Sequence, residues 1–304
     1  MDTRSRSQPG LIERIRGISP HALGLLLTTS GVLILTPDSL LIRLIDADAW
    51  TIVFWRTVLT GLSLTGAIAV SSRRLTFSTF RSIGRPGLAV AILFGAQLTL
   101  FVTAITRTSV ANTLVILATA PLFAAVIGRV ALKVQFPLRV WFASVVSLGA
   151  VAFIFIGSIN SGRLTGDLAA LGAALAFAVG LTIIRQSRGV SMVPAWGLGA
   201  LLAAAFSVFL ADPFSVDRNG FLLLLLSGLV VMPIAFGLIA LGPRRLSAPE
   251  TGLIMLLETV LGPIWVWWWL GDLPNGEALV GGVVIVVVLM INSVLGLREP
   301  SAAD

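Results

Sequence analysis

The sequence predicts an all-α integral membrane protein with ten transmembrane helices, and two properties of the chain support this fold class. Mean hydropathy is +1.00 over 304 residues, and charged residues make up only 12% of the chain, against about a quarter in soluble domains. The apolar residues form runs of roughly 20, long enough for a helix to cross the ~30 Å hydrocarbon layer. Short polar joints separate these runs, as in a chain that crosses a bilayer repeatedly.

Taken in chain order, the apolar runs are bounded by Gly, Pro, Ser or charged residues, which end helices or return the chain to water. Pro37 lies inside the first run and predicts a kink, because proline removes one helical hydrogen bond. The ten predicted spans cover residues 21–45, 49–71, 87–106, 109–132, 138–157, 166–185, 193–211, 220–241, 249–270 and 277–297.

The distribution of Lys and Arg predicts the orientation of these spans, because cytoplasmic loops carry an excess of both residues. With the N-terminus in the cytoplasm, sixteen of the 21 basic residues lie in cytoplasmic segments and four in loops on the other side. Arg56 is the remaining one, inside the second span. This bias predicts cytoplasmic tails at both ends, residues 1–20 and 298–304.

The scarcity of reactive side chains argues against an enzyme. The chain contains one histidine, no cysteine and no tyrosine, and it has no ATP-binding loop. We therefore expect no cofactor, no metal and no catalytic residue. The net charge of +7 is explained by cytoplasmic loops rich in arginine, and no nucleic acid is expected as a partner. A passive channel for small polar solutes stays an alternative to a transporter, and an integral-membrane enzyme is a weaker one.

An internal repeat divides the chain into two halves. RTSVANTLVI (107–116) and RLSAPETGLI (245–254) align without gaps at an offset of 138 residues, and share Arg, Ser, Thr and Ile. Each half contains five predicted helices, an odd number, so the second copy has the opposite orientation. We predict two inverted five-helix repeats, residues 21–157 and 166–297, with a substrate path between them near the bilayer centre. One chain then supplies both halves of the path, and a monomer is expected.

The chain resembles the drug/metabolite transporter superfamily, in its ten-helix branch with two EamA-type domains. LLIRLIDADAWTIVFWR is similar to the end of that family's first helix and the start of its second. ATAPLFAAVIGRVAL and LLETVLGPIWVWWWLGDLPNGEALVGGVVI resemble the fourth and ninth helices. The ninth family helix usually ends in Leu-Gly-Glu, whereas this chain has Asp272 in place of Glu. Val134 stands where the first repeat of the family carries an acid.

The resemblance implies a secondary transporter of the bacterial inner membrane that works by alternating access. It implies export or exchange of small metabolites, amino-acid-like compounds or drugs, with the lipid bilayer and a small-molecule substrate as partners. Protons are a further candidate partner.

Two charges are predicted to lie inside the membrane, where each costs at least ~2.5 kcal/mol and needs a reason. With a rise of 1.5 Å per residue, Asp38 on the first span and Arg56 on the second fall at similar depth. The spans are joined by a short turn, so we expect a direct or water-bridged pair that faces the transport path. A purely structural buried pair is the alternative. The kink at Pro37 leaves a backbone carbonyl free to face the same path.

Glu258 is a second acid inside a span, and it has no basic neighbour in sequence. A carboxyl that takes up and releases a proton at mid-membrane is what proton coupling requires, and it also suits the ammonium of an amino-acid-like substrate. The alternative is a protonated Glu258 that hydrogen-bonds between helices. Arg43, near the outer end of the first span, is expected to extend to the surface or to pair with Asp46 or Asp48.

Several other side chains are candidates for the lining of the cavity. The tryptophans of the ninth span are typical of a belt at the membrane surface, but those four residues apart share one helix face, which can line the path. The candidates are Pro37, Arg43, Trp55, Gln97, Asn112, Trp265 and Trp269.

Overall fold

The computed structural model describes residues 19–72, 83–132, 137–187, 192–241, 245–246 and 248–298, and within these ranges the ordered elements are all helices. The N-terminal tail predicted at residues 1–20 lies almost entirely outside the described residues, as do residues 299–304. The helices are α1 (Pro20–Leu35), α2 (Asp38–Leu44), α3 (Ala49–Ser72), α4 (Gly84–Arg107), α5 (Val110–Leu117), α6 (Ala120–Leu132), α7 (Leu138–Ser161), α8 (Leu164–Gln186), α9 (Val193–Ser207), α10 (Arg218–Leu225), α11 (Met232–Leu241), α12 (Ala248–Leu270) and α13 (Gly276–Arg298), with a π-helical turn, Leu226–Val231, between α10 and α11.

These helices confirm the predicted ten-span membrane fold. Within the described ranges nine stretches are long and apolar enough to cross a membrane, and α9, with 15 residues, is a shorter tenth. The first span consists of α1 and α2, the fourth of α5 and α6, and the eighth of α10, the π-helical turn and α11. We refer to the face where α1 begins as the near face and to the opposite one as the far face. The assignment of the near face to the cytoplasm stays a prediction.

The break in the first span follows from Pro37. Proline has no N–H to give to the carbonyl of Leu33, four residues earlier. The Thr36 hydroxyl donates to that carbonyl instead, at 2.9 Å. The helix then restarts with the Leu41 N–H donating to the Pro37 carbonyl at 3.0 Å. The freed carbonyl is therefore satisfied by a side chain rather than left open.

Two boundaries differ from the prediction. The seventh span, predicted at 193–211, ends at Ser207, and the Leu210 N–H then makes a tighter i→i+3 bond to the Ser207 carbonyl at 3.0 Å. Pro213 follows, and the residue before a proline is disfavoured in a helix. The fourth span is broken at Ala118–Thr119, since Pro121 suits the first turn of a new helix.

The packing of the spans has the symmetry expected of two inverted repeats. The third and fourth spans both pack on the sixth, which is the first helix of the second repeat. In the same way, the eighth and ninth spans both pack on the first span, which is the first helix of the first repeat. The second and seventh spans pack on each other, and so do the fifth and tenth. If each span is replaced by its counterpart in the other repeat, the same pairs of spans are in contact. The two halves therefore form a single helical body with an approximate twofold axis.

Glycine allows the backbones of α4 and α9 to approach each other closely. A Cβ on Gly199 would lie 2.3 Å from the Ala91 carbonyl oxygen, and one on Gly95 would lie 2.6 Å from the Gly199 carbonyl oxygen. Both contacts are with backbone, which cannot move aside as a side chain can.

We expect Gly199→Ala to lower the free energy of unfolding by about 1–3 kcal/mol, because the added methyl group forces α4 and α9 apart. Gly237→Ala is the matched control, since a Cβ there would meet nothing within 4 Å. That variant should equal or exceed the parent in stability, because alanine favours a helix. Unfolding in mixed detergent micelles measures both, and equal stability of the two variants would contradict the expectation.

Candidate functional site

The first and second spans bring Asp38 and Arg56 into direct contact. Asp38 begins α2 just after the break at Pro37, and Arg56 lies two turns into α3. The Arg56 guanidinium donates through Nη2 to Asp38 Oδ2. Arg56 is 1% exposed and Asp38 3% exposed. The pair is therefore closed off from both faces of the membrane.

The eighth span completes this centre through its π-helical turn. The Ser227 hydroxyl donates to Asp38 Oδ1 at 2.7 Å and accepts from Arg56 Nε at 3.4 Å. Met232 Sδ accepts from Arg56 Nη2 at 3.2 Å, and the Phe101 ring centroid lies 5.6 Å from Arg56 Cζ. Both repeats thus contribute to one polar centre in an apolar surrounding.

The π-helical turn is what allows Ser227 and Met232 to reach the same guanidinium. In an α-helix, residues five apart point about 140° away from each other. Here the Met232 N–H bonds to the Ser227 carbonyl, an i→i+5 bond that brings the two nearly into line. Pro233 explains the turn, because it cannot donate to the carbonyl of Leu229 and disfavours a regular helix before it.

Glu258 lies beside this centre. It is half-buried on α12, close enough for the charges of Asp38 and Arg56 both to act on it. Within the described residues no hydrogen bond satisfies its carboxylate. Two more polar atoms in the centre are buried without a partner there, Arg56 Nη1 and the Ser39 hydroxyl. The centre therefore has both unused donors and an unused acceptor.

The tryptophans of α12 divide between the interior and the surface. Trp265 is half-buried, and its indole N–H donates at 3.0 Å to the hydroxyl of Thr36, two residues before Asp38. Trp268 stacks on it with ring centroids 5.9 Å apart. Trp269 is 67% exposed and lies away from the polar centre. Only Trp265 of this group is placed to line a path next to Asp38.

Arg43 joins three parts of the chain at the far face. Its Nη2 donates to the Thr108 carbonyl at 2.5 Å and lies 3.9 Å from Asp272 Oδ2. Asp48, one of the expected partners, is used otherwise: its carboxylate caps α3 by accepting from the Thr51 hydroxyl and from backbone N–H groups. Burial opposes ionisation of Asp48, but these hydrogen bonds prevail and lower its pKa.

A narrow crevice opens beside Arg43 at the far face. It lies between the start of α5 and the end of α12 and is lined by Ser109, Val110, Ala111, Pro263, Val266, Asp272, Leu273 and Pro274. It ends between the two repeats, which is where a path to the polar centre would begin.

Asn112 belongs to a second buried polar cluster at the far face, centred on Asp167. The Thr108 hydroxyl donates to Asp167 Oδ1 at 2.5 Å, the Ser158 hydroxyl donates to Oδ2, and the Asn112 amide donates to both oxygens at 3.1 Å. Asp167, Asn112 and Ser158 are all 0% exposed. The cluster joins α5, α7 and α8, and it is separate from the Asp38–Arg56 pair.

Two other predicted residues do not reach the polar centre with their polar atoms. Trp55 precedes Arg56, but its indole N–H donates to the Pro213 carbonyl at 2.9 Å, at the far face. Gln97 is half-buried on α4.

Comparison with known proteins identifies the fold. The profile of the EamA-like transporter family matches residues 22–156 and again residues 164–294. The chain belongs to the EamA-like transporter family. The two matches follow each other along the chain, as expected for a duplicated unit.

One known protein resembles this EamA-like transporter in sequence, and one solved structure resembles it in fold. A Bacillus subtilis (strain 168) protein described as "Uncharacterized transporter YdfC" is 28% identical over 176 residues, which are 55% of this chain and 57% of that protein. The similarity thus spans little more than half the length of that relative. A solved crystal structure, described only as that of a protein, superimposes with a TM-score of 0.63 and 16% identity, over 92% of this chain and 100% of the other. It shares the fold.

Sequence reasoning missed several functional groups of this EamA-like chain. Ser227 and Met232 lie in an almost continuous apolar run, where a serine is unremarkable, and Pro233 was the available signal for an irregular turn. Asp167 stands near a predicted helix start, where an acid usually faces water, and nothing local shows that three other side chains bury it.

Proposed function

We propose that this EamA-like transporter is a secondary transporter that moves a small metabolite by alternating access, with its binding site at the Asp38–Arg56 pair and Glu258. The observation that carries the proposal is the combination of unused polar groups. Arg56 Nη1 is a buried donor without a partner, and Glu258 is a half-buried carboxylate without one in the described chain. Unmet groups of this kind inside a membrane protein are costly unless they serve a ligand.

The chemistry of these groups indicates the substrate class. A guanidinium N–H binds a carboxylate, and a carboxylate binds an ammonium group. A small zwitterion of the amino-acid type engages both, and Trp265 beside Thr36 offers an apolar wall to its side chain. A small organic cation, as in many drugs, engages Glu258 alone. The proposal is export from a bacterial cytoplasm across the inner membrane, by a chain that works as a monomer.

Proton exchange at Glu258 supplies a driving force in this proposal. Glu258 binds a proton when the substrate has left and releases it when a cation or ammonium group arrives, because both compete for one carboxylate. The Asp38 carboxylate is already paired with the Arg56 guanidinium, whereas Glu258 has no such partner in the described chain.

Reconstitution into liposomes tests the proposal against a passive channel. A thermal-shift screen of amino acids, polyamines, nucleosides and cationic drugs selects a ligand, which is then used in radiolabelled form. We expect an imposed pH step to accumulate this ligand above its external concentration in protein-containing liposomes and not in empty ones. Equilibration without accumulation would identify a channel and refute coupled transport.

A further inference from the structure

The repeat symmetry relates two polar clusters at opposite ends of the molecule. The offset of 138 that aligns the repeated motifs takes Asn112, at the start of the fourth span, to Glu250, at the start of the ninth. Asn112 is bonded to Asp167 at the start of the sixth span, which is the first helix of the second repeat. Glu250 Oε1 lies 2.6 Å from His21 Nε2 at the start of the first span. In each contact, the start of the fourth helix of one repeat meets the start of the first helix of the other repeat.

These contacts lie on opposite faces of the membrane. The Asp167 cluster is at the far face, next to the crevice that Ser109 and Ala111 line. The His21–Glu250 pair is at the near face, where the histidine side chain is 56% exposed and the glutamate 22%. The Asp38–Arg56 centre lies between the two and is closed to both sides.

We propose that these contacts are the two gates of the transporter, a far gate formed by Asp167 with Thr108, Asn112 and Ser158, and a near gate formed by His21 and Glu250. The inference rests on the proposed alternating access. A path between the repeats opens at one face only when the fourth helix of one repeat parts from the first helix of the other. Each gate has to break for its own face to open, and the intact opposite gate prevents a leak.

The far gate is the stronger of the two. Asp167 is fully buried and receives four hydrogen bonds from three side chains, and Arg43 holds the Thr108 carbonyl from the other side. The near gate lies at the surface, where the His21 side chain is 56% exposed and the Glu250 side chain 22%. The fold therefore favours opening toward the near face when no ligand is bound.

The natural absence of cysteine from this chain makes the gates measurable without a substrate. Ala111→Cys places a thiol in the far crevice, at a position that is 6% exposed. Val32→Cys places a thiol on α1 about 16 Å along the helix from His21. Around the helix axis the two side chains differ by only about 20°, and Val32 is 0% exposed. The measured quantity is the rate of modification of each single cysteine by a water-soluble maleimide.

We expect Asp167→Asn to accelerate modification at Ala111→Cys by about tenfold, the population change that roughly 1.4 kcal/mol produces, and to leave Val32→Cys unchanged or slower. His21→Ala should do the reverse. His21→Lys, which offers Glu250 an ammonium group as hydrogen-bond donor, should restore the parent rates. Thr108→Val and Thr108→Ser form a milder pair at the far gate, and only the valine variant should accelerate Ala111→Cys.

Acceleration of both thiols by either change would indicate general loosening and overturn the proposal, and so would no change at either thiol. If Asp167→Asn does not fold, the comparison of Thr108→Val with Thr108→Ser decides the far gate. Because the measurement needs no substrate, a failure of the gates is distinguishable from a failure of proton-coupled transport.

Discussion

Replacing Arg56 with alanine is expected to lower the free energy of unfolding by about 3–5 kcal/mol, the usual cost of leaving one partner of a buried ion pair alone. The variant leaves the Asp38 carboxylate in an apolar surrounding with one donor, the Ser227 hydroxyl at 2.7 Å. Glu258 is close by, and its like charge adds to the cost. Unfolding in mixed detergent micelles and the melting temperature measure the loss.

Asp38→Asn is expected to cost less than Arg56→Ala. The asparagine carbonyl still accepts from the guanidinium, and Arg56 keeps the Phe101 ring at 5.6 Å, the Met232 sulfur and the charge of Glu258. Arg218→Ala is the control for the loss of an arginine, since Arg218 is exposed, and should stay within about 0.5 kcal/mol of the parent. Equal losses for Arg56→Ala and Asp38→Asn would contradict the expectation that the unpaired Asp38 carboxylate makes Arg56→Ala the costlier change.

Glu258→Gln is expected to abolish accumulation driven by a pH step, because glutamine keeps the size of glutamate but cannot exchange a proton. Exchange of labelled for unlabelled zwitterion across liposomes at equal pH should weaken but continue, since Arg56 still binds the substrate carboxylate and exchange needs no net proton movement. Asp38→Asn should also impair transport, with insertion into the membrane retained.

The matched control for this prediction is Glu277→Gln, the same chemical change in the first turn of α13, away from the polar centre. It should leave accumulation unchanged. Complete loss of exchange in Glu258→Gln would indicate a cationic substrate that engages Glu258 alone, and undiminished exchange would remove Glu258 from the binding site. Full accumulation in that variant would remove Glu258 from the mechanism.

The predictable part of this structure is the part that local patterns determine. Run length and the Lys and Arg bias were enough to find ten spans, and Pro37 was enough to find the break in the first. The contact between Asp38 and Arg56 was predictable because one short turn joins their helices. For two neighbouring helices, a similar depth of two side chains in the membrane almost determines the distance between them.

The less predictable part depends on contacts that are distant in sequence. Ser227 meets Asp38 across 189 residues, and His21 meets Glu250 across 229. No periodicity encodes such partners. Arg43 shows the same limit, because its expected partners are its neighbours in sequence, whereas its actual contacts are Thr108 and Asp272.

The extra residue in the π-helical turn also constrains how the two halves of the chain can change over time. Removing one residue from Leu226–Val231 would restore an ordinary α-helical turn, in which positions five residues apart point about 140° away from each other. The position 138 residues before Ser227 is Ala89, within the uninterrupted helix α4. An accurate superposition of the two halves should therefore require a gap of one residue at this turn. The first half has no such turn at this place, so it cannot replace the second half without loss of the contacts that Ser227 and Met232 share with Arg56.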